Sequence, residues 1–315
     1  MKTKAMTVPV LVAMLALGSA AEGSIASWGY NLENQVTDTP AGVGYQAIAA
    51  GYQHSLALKA DGSIVSWGSD ANNQVASTPT GTGYQAIAGG GNHSLALTAD
   101  GSIDGWGWDE DKQVSDAPDG TSYRAIAGGY YHSLALAADG SIVSWGGDQY
   151  SQVTDTPSGD GYQAIAAGYY HSHALRADGS IVSWGRNSHS QVSGTPSGDG
   201  YQAIAGAYYH SLALAADGSI VSWGYNGNNQ VGNTPDGAGY QAVAGGRYHS
   251  LALALDGSIV SWGGGSYGLI SNTPDGAGYQ AIAGGYQHSL ALIPEPETLG
   301  LLGMGLLTLL YRGRK

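Results

Sequence analysis

The sequence predicts an all-β fold, a closed ring of seven blades, on three observations. Tryptophan recurs at Trp28, Trp67, Trp106, Trp145, Trp184, Trp223 and Trp262, a step of 39 residues without a slip. Histidine keeps the same step at His54, His93, His132, His171, His210, His249 and His288, and tyrosine from Tyr45 to Tyr279. Nothing in the unit has helical periodicity. A repeat of about 20–50 residues means supersecondary units that bury their apolar faces only against their neighbours.

One unit, starting at Asp61, reads DGSIVSWGSDANNQVASTPTGTGYQAIAGGGNHSLALTA. Strand-like runs flank Asp61-Gly62, the strongest short hairpin signal. Strands are expected over 54–60 and 63–68, joined by a two-residue turn, and a third over 45–50. Proline and glycine near Pro79 mark a loop. A weaker fourth strand is expected near Gln74 and Val75.

The two-residue turn sets Leu58 opposite Val65, Leu56 opposite Trp67 and His54 opposite Ser69. Opposed residues share a face. One face then carries His54, Leu56, Leu58, Val65 and Trp67, and the other Ser55, Ala57, Ile64 and Ser66. A bulky face packing on a small face suits blades arranged in a ring. The expected architecture is therefore a seven-bladed β-propeller of 39-residue repeats. The first unit lacks its HSLAL strand and the last lacks its GSIVSWG strand. Pairing the N-terminal strand with the C-terminal strand closes the ring and removes a sheet edge.

GxxHSLALxxDGSIVSWG resembles the repeat of the regulator of chromosome condensation family, over roughly residues 22–292. The resemblance implies a seven-bladed propeller. The founding member is a nuclear exchange factor for a small GTPase, so an exchange-type regulator is the functional analogy it offers. Another member is a plant ultraviolet-B photoreceptor, whose light-sensing motif has Trp two residues before the histidine. The matching positions here are Tyr52, Gly91, Tyr130, Tyr169, Tyr208, Arg247 and Tyr286, so that role does not carry over.

Residues 1–21 read as a signal peptide. Lys2 and Lys4 precede an apolar core over 8–17, and cleavage is expected after Ala20 or Ala21. Residues 22–293 form the propeller, and 294–315 a tail. The tail opens with Pro294-Glu295-Pro296, continues through an apolar stretch at 298–310 and ends in Arg312, Arg314 and Lys315. It resembles the PEP-CTERM sorting signal of Gram-negative bacteria. That resemblance implies a transient inner-membrane anchor, processing by an exosortase, and association with exopolysaccharide and the cell surface. The apolar stretch falls short of the ~20 residues of a stable span, and its basic end belongs on the cytoplasmic side. The chain has no cysteine, and a repeat core this large does not need disulfides.

Between residues 22 and 293 there are 22 Asp or Glu and 6 Lys or Arg, a net charge near −16. Nucleic-acid binders carry the opposite sign, because phosphate neutralisation supplies their affinity. Asp61, Asp100, Asp139, Asp178, Asp217 and Asp256 read as hairpin-turn residues.

No catalytic residue, cofactor or metal site is expected. Neighbouring strand residues point to opposite faces, so His54 cannot reach Ser55 as a dyad. The histidines and tryptophans read as structural, each histidine with its second nitrogen bonded to backbone. His171 and His173 share a face near His189, but a neutral core substitution is the simpler reading of His173. Asp109, Glu110 and Asp111 read as a solvated turn rather than a calcium loop. Asp104 stands where other units have Val, and on the expected bulky face Asp104→Val would raise stability.

Function is expected where the units differ. The loop after Trp-Gly reads YNLEN, SDANN, WDEDK, GDQYS, RNSHS, YNGNN and GGSYG in turn. The pair before the histidine is aromatic-rich, as in Tyr130, Tyr131, Tyr169, Tyr170, Tyr208 and Tyr209. These tyrosines are the ligand-binding candidates, for polysaccharide or for an envelope protein. A purely structural matrix role and an enzyme are the alternatives. The tail gives the first prediction. Replacing Pro294, Glu295 and Pro296 with alanine traps a full-length, membrane-bound form. Export of that variant at the parent's mass, read by immunoblot, would refute a processed signal.

Overall fold

The computed structural model describes residues 23–294. Seven three-stranded antiparallel blades surround a central cavity; five are separate sheets, and the last and first are joined into one six-stranded sheet by a Gly23–Tyr45 bridge. In the first complete blade Tyr45–Ala50 is the inner strand, His54–Lys59 the middle strand and Ile64–Gly68 the outer strand. The middle strands are the most deeply buried, each with five successive buried residues from His-Ser onward. They are sandwiched between neighbouring blades and flanked on both edges.

The ring closes through the chain ends. The inner strand of the seventh blade is Ala281–Gly284, the middle strand is His288–Pro294, and the outer strand is Gly23–Gly29 from the N-terminus. The closing pair runs in register from Gly23 opposite Pro294 to Gly29 opposite His288. The middle strand thus passes Leu292 by two residues. Pro294 is tolerated because it is terminal, where its missing N–H leaves no central rung unmade. Trp28 packs against Leu251, Leu253 and Ile259 of the preceding blade, as Trp106 does against Leu56, Leu58 and Ile64 and Trp262 against Leu212, Leu214 and Ile220.

The hairpin register differs from the sequence expectation by one residue. Leu58 pairs with Ile64, Ala57 with Val65, Leu56 with Ser66 and Ser55 with Trp67. The turn has three residues, not two. Gly62 N–H donates to the Lys59 carbonyl at 2.9 Å, and Gly62 takes φ +79°. This is a type I turn followed by a left-handed residue, the three-residue hairpin solution. Asp61 Oδ1 accepts from the Ser63 N–H at 2.8 Å and hydroxyl at 2.7 Å, which fixes the turn.

The slip exchanges face membership. Leu56 and Leu58 share a face with Ile64, while Trp67 joins Ala57 and Val65 on the other. Leu56, Leu58 and Ile64 of one blade then pack on Tyr84, Ala96 and Trp106 of the next. Bulky residues therefore lie on both faces, and a leucine pair meets a tryptophan at the interface. Burial of each such side chain stabilises by about 1.5–3 kcal/mol. Asp104 likewise pairs with Ala96 rather than facing Leu97, and it is exposed. It accepts the Tyr84 hydroxyl at 2.6 Å. The expected gain from Asp104→Val is withdrawn, because that carboxylate is solvated and bonded.

No strand forms at Gln74 and Val75. The segment is a fixed loop that spans each blade-to-blade connection. Asp70 Oδ1 accepts the N–H groups of Val75 and Ala76, and Gln74 Oε1 accepts that of Asn72. Asn73 stands at φ +60°. A loop whose backbone donors are satisfied by its own side chains needs no ladder.

Deleting residues 23–29 removes every rung of the closing pair and the burial of Trp28. We expect the melting temperature to fall by more than about 10 °C, against a few degrees for shortening one Thr-Pro loop. Comparable melting of the two deletions would show that the ring does not depend on this strand.

Candidate functional site

Two bonded rings hold the blades together. Each histidine Nε2 reaches the serine of the following blade, not its own neighbour. The pairs are His54–Ser94 at 2.9 Å, His93–Ser133 at 2.9, His132–Ser172 at 2.7, His171–Ser211 at 3.1, His210–Ser250 at 2.7, His249–Ser289 at 2.9, and His288–Ser55 at 2.8. The last pair closes the circle. Outside it, each tryptophan Nε1–H donates to a carbonyl of the preceding loop. Trp67 donates to Gln35 at 3.0 Å, and Trp28 completes the series on Leu269 at 3.0 Å.

The histidine contacts correct the expectation of a second bond to backbone. Each repeated histidine bonds through Nε2 to serine, and its Nδ1 has no partner. Ser133 donates onward to the Gln113 carbonyl at 3.0 Å, so His93 carries its proton on Nε2. Burial pushes these rings far down, to about 4 for His54 and about 3 for His93. The residue three before each histidine is glycine in six blades, because a Cβ at Gly51 or Gly90 would overlap the histidine ring. Every serine in the ring is fully buried. No substrate reaches these His–Ser pairs, and they serve as interblade contacts.

His173 has both nitrogens bonded. Nδ1 meets Ser183 Oγ and Nε2 meets Ser211 Oγ, each at 2.7 Å. His189 lies apart, in the loop beside Tyr209 and Tyr225. Asp109 spends Oδ1 on the N–H groups of Val114 and Ser115, the role that neutral Asn31 plays in its own loop. Among the described residues no group of three His, Cys, Asp or Glu is placed to hold a metal.

The sequence-predicted tyrosines converge at one mouth of the central cavity, which holds about 320 Å³. Tyr52, Tyr130, Tyr169, Tyr208 and Tyr286 form an inner cluster with Arg247. Tyr169 and Tyr208 stack at 3.8 Å between ring centres, and Tyr52 and Tyr286 lie 3.8 Å apart. Gly91 completes the inner positions, since a Cβ there would meet the Tyr130 carbonyl and ring. Burial and neighbouring hydroxyls raise the phenol pKa of Tyr130, Tyr208 and Tyr286, so they remain neutral donors.

An outer arc surrounds part of this cluster. Tyr131 stacks on Tyr170 at 5.0 Å with 13° between planes, and Tyr209 and Tyr248 continue it in the next two blades. The remaining blades carry Gln53, Asn92 and Gln287 there. Loop residues reach the same arc. Arg186 lies over Tyr150, Tyr170 and Tyr209 at 5.0, 5.7 and 5.7 Å, and Trp108 meets Tyr131 at 5.5 Å. Sequence reasoning missed both arginines as part of this surface. Arg186 follows a Trp-Gly and Arg247 sits two before a histidine, and those positions were the available signal.

Residues 45–74, 84–113, 123–152, 162–191, 203–230 and 240–269 match the model of the regulator of chromosome condensation (RCC1) repeat. The chain belongs to this family. The seventh blade, split between the chain ends, lies outside those matches and is supplied by the closing strand. Prp20p of Saccharomyces cerevisiae is similar at 20% identity with a TM-score of 0.71, over 92% of this chain and 96% of that one. Human WBSCR16 is similar at 17% and 0.69, over 86% and 98%. The ectodomain of the Physcomitrella patens receptor kinase CR4 is similar at 20% and 0.68, over 81% and 72%. At these identities the family likeness carries the propeller fold alone. No curated protein matches the chain in sequence.

Residues 292–315 match the PEP-CTERM protein-sorting motif, which marks export and sorting to the cell surface in Gram-negative bacteria. Pro294 ends the closing strand. Glu295, Pro296, the apolar stretch and the expected signal peptide with Ala20 and Ala21 lie outside the described residues. Among the described residues no helix is long and apolar enough to cross a membrane.

The histidine ring makes stability depend on pH. Unfolded histidine takes up a proton near 6.5, whereas the buried rings do so only near 3 to 4. Above 6.5 both states are neutral, and below it only the unfolded chain gains protons. Stability is thus lost as pH falls from 6.5 toward 4, by about 1.4 kcal/mol per pH unit for each histidine. Calorimetry is expected to show a flat melting temperature from pH 7 to 8 and a steep fall from 6.5 to 4.5. A flat profile through pH 5 would mean that the histidines are not held neutral.

Proposed function

We propose that this chain is an exported propeller, released at the cell surface by an exosortase, that binds polysaccharide through the tyrosine-lined mouth. The observation that carries the reading is the asymmetric arc. The scaffold repeats in every blade, but the outer tyrosines, Tyr131, Tyr170, Tyr209 and Tyr248, occupy only four consecutive blades at one mouth. Tyr131, Tyr209 and Tyr248 there are partly exposed, each with a ring face and a hydroxyl. Tyrosine offers an apolar face for the C–H side of a sugar and an O–H for its hydroxyls, at low conformational cost.

The loops favour the same mouth. Asn31, Asp70, Asp109, Asp148, Asn187 and Asn226 each cap their own loop. The residues around these caps vary and are held on a rigid frame. That division, a fixed skeleton with changing exposed positions, is how a repeat scaffold presents a recognition surface. Export through the sorting motif supports polysaccharide over a nuclear GTPase as the partner class. Partners like Gsp1p or histones, which Prp20p binds, would have to be encountered outside the cell.

Titration with oligosaccharides prepared from the producing cell's extracellular polysaccharide tests this. Binding is expected to weaken roughly tenfold in Tyr131→Ala with Tyr209→Ala, since each aromatic stacking contact contributes about 0.5–1.5 kcal/mol beyond area burial. Melting temperature should change little, because both side chains are partly exposed. Equal binding by parent and double variant would remove the tyrosine mouth as the site.

A further inference from the structure

The mouth is divided by charge. The loops over 185–196, 224–235 and 263–274 contain no Asp or Glu. Every other Trp-Gly loop contains acid: Glu33 and Asp38, Asp70, Asp109 to Asp111 with Asp116, and Asp148 with Asp155. The acid-free sector is the one that holds Arg186 and Arg247. In a body with 22 acidic groups, these three loops carry none, and neither arginine beside them forms an ion pair with a carboxylate among the described residues.

Arg247, like Arg186, lies among tyrosine rings, but closer to them. Its guanidinium lies 4.4 Å from the ring centres of Tyr248 and Tyr286 and 5.6 Å from that of Tyr208. Its Nε is buried without a hydrogen-bond partner. The one ion pair among the described residues is Lys112–Asp116, elsewhere on the ring. An arginine between aromatic rings presents its donors in the plane of the slot. A planar oxyanion lying in that plane is its natural acceptor. Arg186 spends Nε on Ser188 Oγ at 2.8 Å and lies over the outer tyrosines.

We infer that the ligand of this mouth is an acidic polysaccharide, one whose sugars carry carboxylates, with Arg247 as the carboxylate subsite and Arg186 as a second. The inference rests on the glycan reading above and names the chemistry of the glycan. The tyrosines take the apolar faces of the sugars, and the arginines take the charged group that a neutral glycan lacks. Without a ligand, Arg247 keeps a buried donor unmet. Such a group is costly unless a partner satisfies it.

The test uses the full chain in mild detergent, with a galacturonate oligomer and the same oligomer methyl-esterified as probes. The acid form is expected to bind at least about tenfold tighter than the ester. Arg247→Gln should remove most of that preference, weakening binding of the acid form several-fold more than that of the ester, while Arg247→Lys recovers part of it. Arg186→Gln gives a smaller loss and serves as the check should Arg247→Gln misfold. Arg176→Gln, away from the mouth, should change nothing. Equal binding of acid and ester, unaltered in both arginine variants, overturns the acidic-ligand inference and leaves the glycan reading standing. Tighter binding of a sulfated oligomer than of the carboxylate overturns the planar-anion assignment. No binding of any oligomer overturns both readings.

Discussion

The contact between neighbouring blades is the constraint on which the rest of the structure depends. No blade can bury itself, since three strands leave both sheet faces and two edges open. Each interface is solved once and repeated: a leucine pair against a tryptophan, a histidine to the next serine, an indole N–H to the previous loop. A polar bond inside an apolar interface fixes registry, because displacement would strand a buried donor. The histidine series returns to the first blade through His288 and Ser55, and Trp28, from the N-terminal strand, completes the indole series in the seventh blade on Leu269. Ring size follows from that return, and so does the need for the N-terminal strand.

Much of this was legible in sequence because the period is strict. The blade number, the strand order and the swapped closing strand follow from residue positions alone. The hairpin register did not. Asp-Gly suits a two-residue turn and also a three-residue turn with Gly62 left-handed, and the local sequence does not choose between them. The choice is made by packing, since the three-residue turn places Trp67 against the preceding blade's leucine pair, Leu290 and Leu292. A one-residue slip reverses every face assignment, which is why Asp104 was placed on the wrong side. The histidine partner was hidden for a related reason. Ser94 is 40 residues from His54, and only the curvature of the ring brings one repeat's serine to another's histidine.

The candidate site was half legible. Aromatic pairs before the histidine are visible in the sequence, and so is the changing loop. What the sequence does not show is that both reach one mouth, or that six of the seven loops share a frame of Asx cap, left-handed residue and glutamine. Once that frame is known, the variable residues shrink to those flanking the cap. Arg186 and His189 are such residues, as are Tyr30 and Trp108.

The distribution of satisfied and unsatisfied groups then separates scaffold from function. Turn aspartates, loop Asx residues, ring serines and indole nitrogens all have partners within the fold. The repeated histidine Nδ1 atoms and most loop glutamine amides lack one, but they are repeated around the ring and sealed between blades, so they define no single site. Arg247 is different on each count. It occurs once, it replaces tyrosine, it lies at the mouth, and its charge is unpaired in a strongly acidic protein. A repeat protein has little reason to hold a lone cation between aromatic rings for stability, because tyrosine fills that position in five other blades. The departure from the repeat is therefore the place where the scaffold's own requirements stop and a ligand's requirements begin.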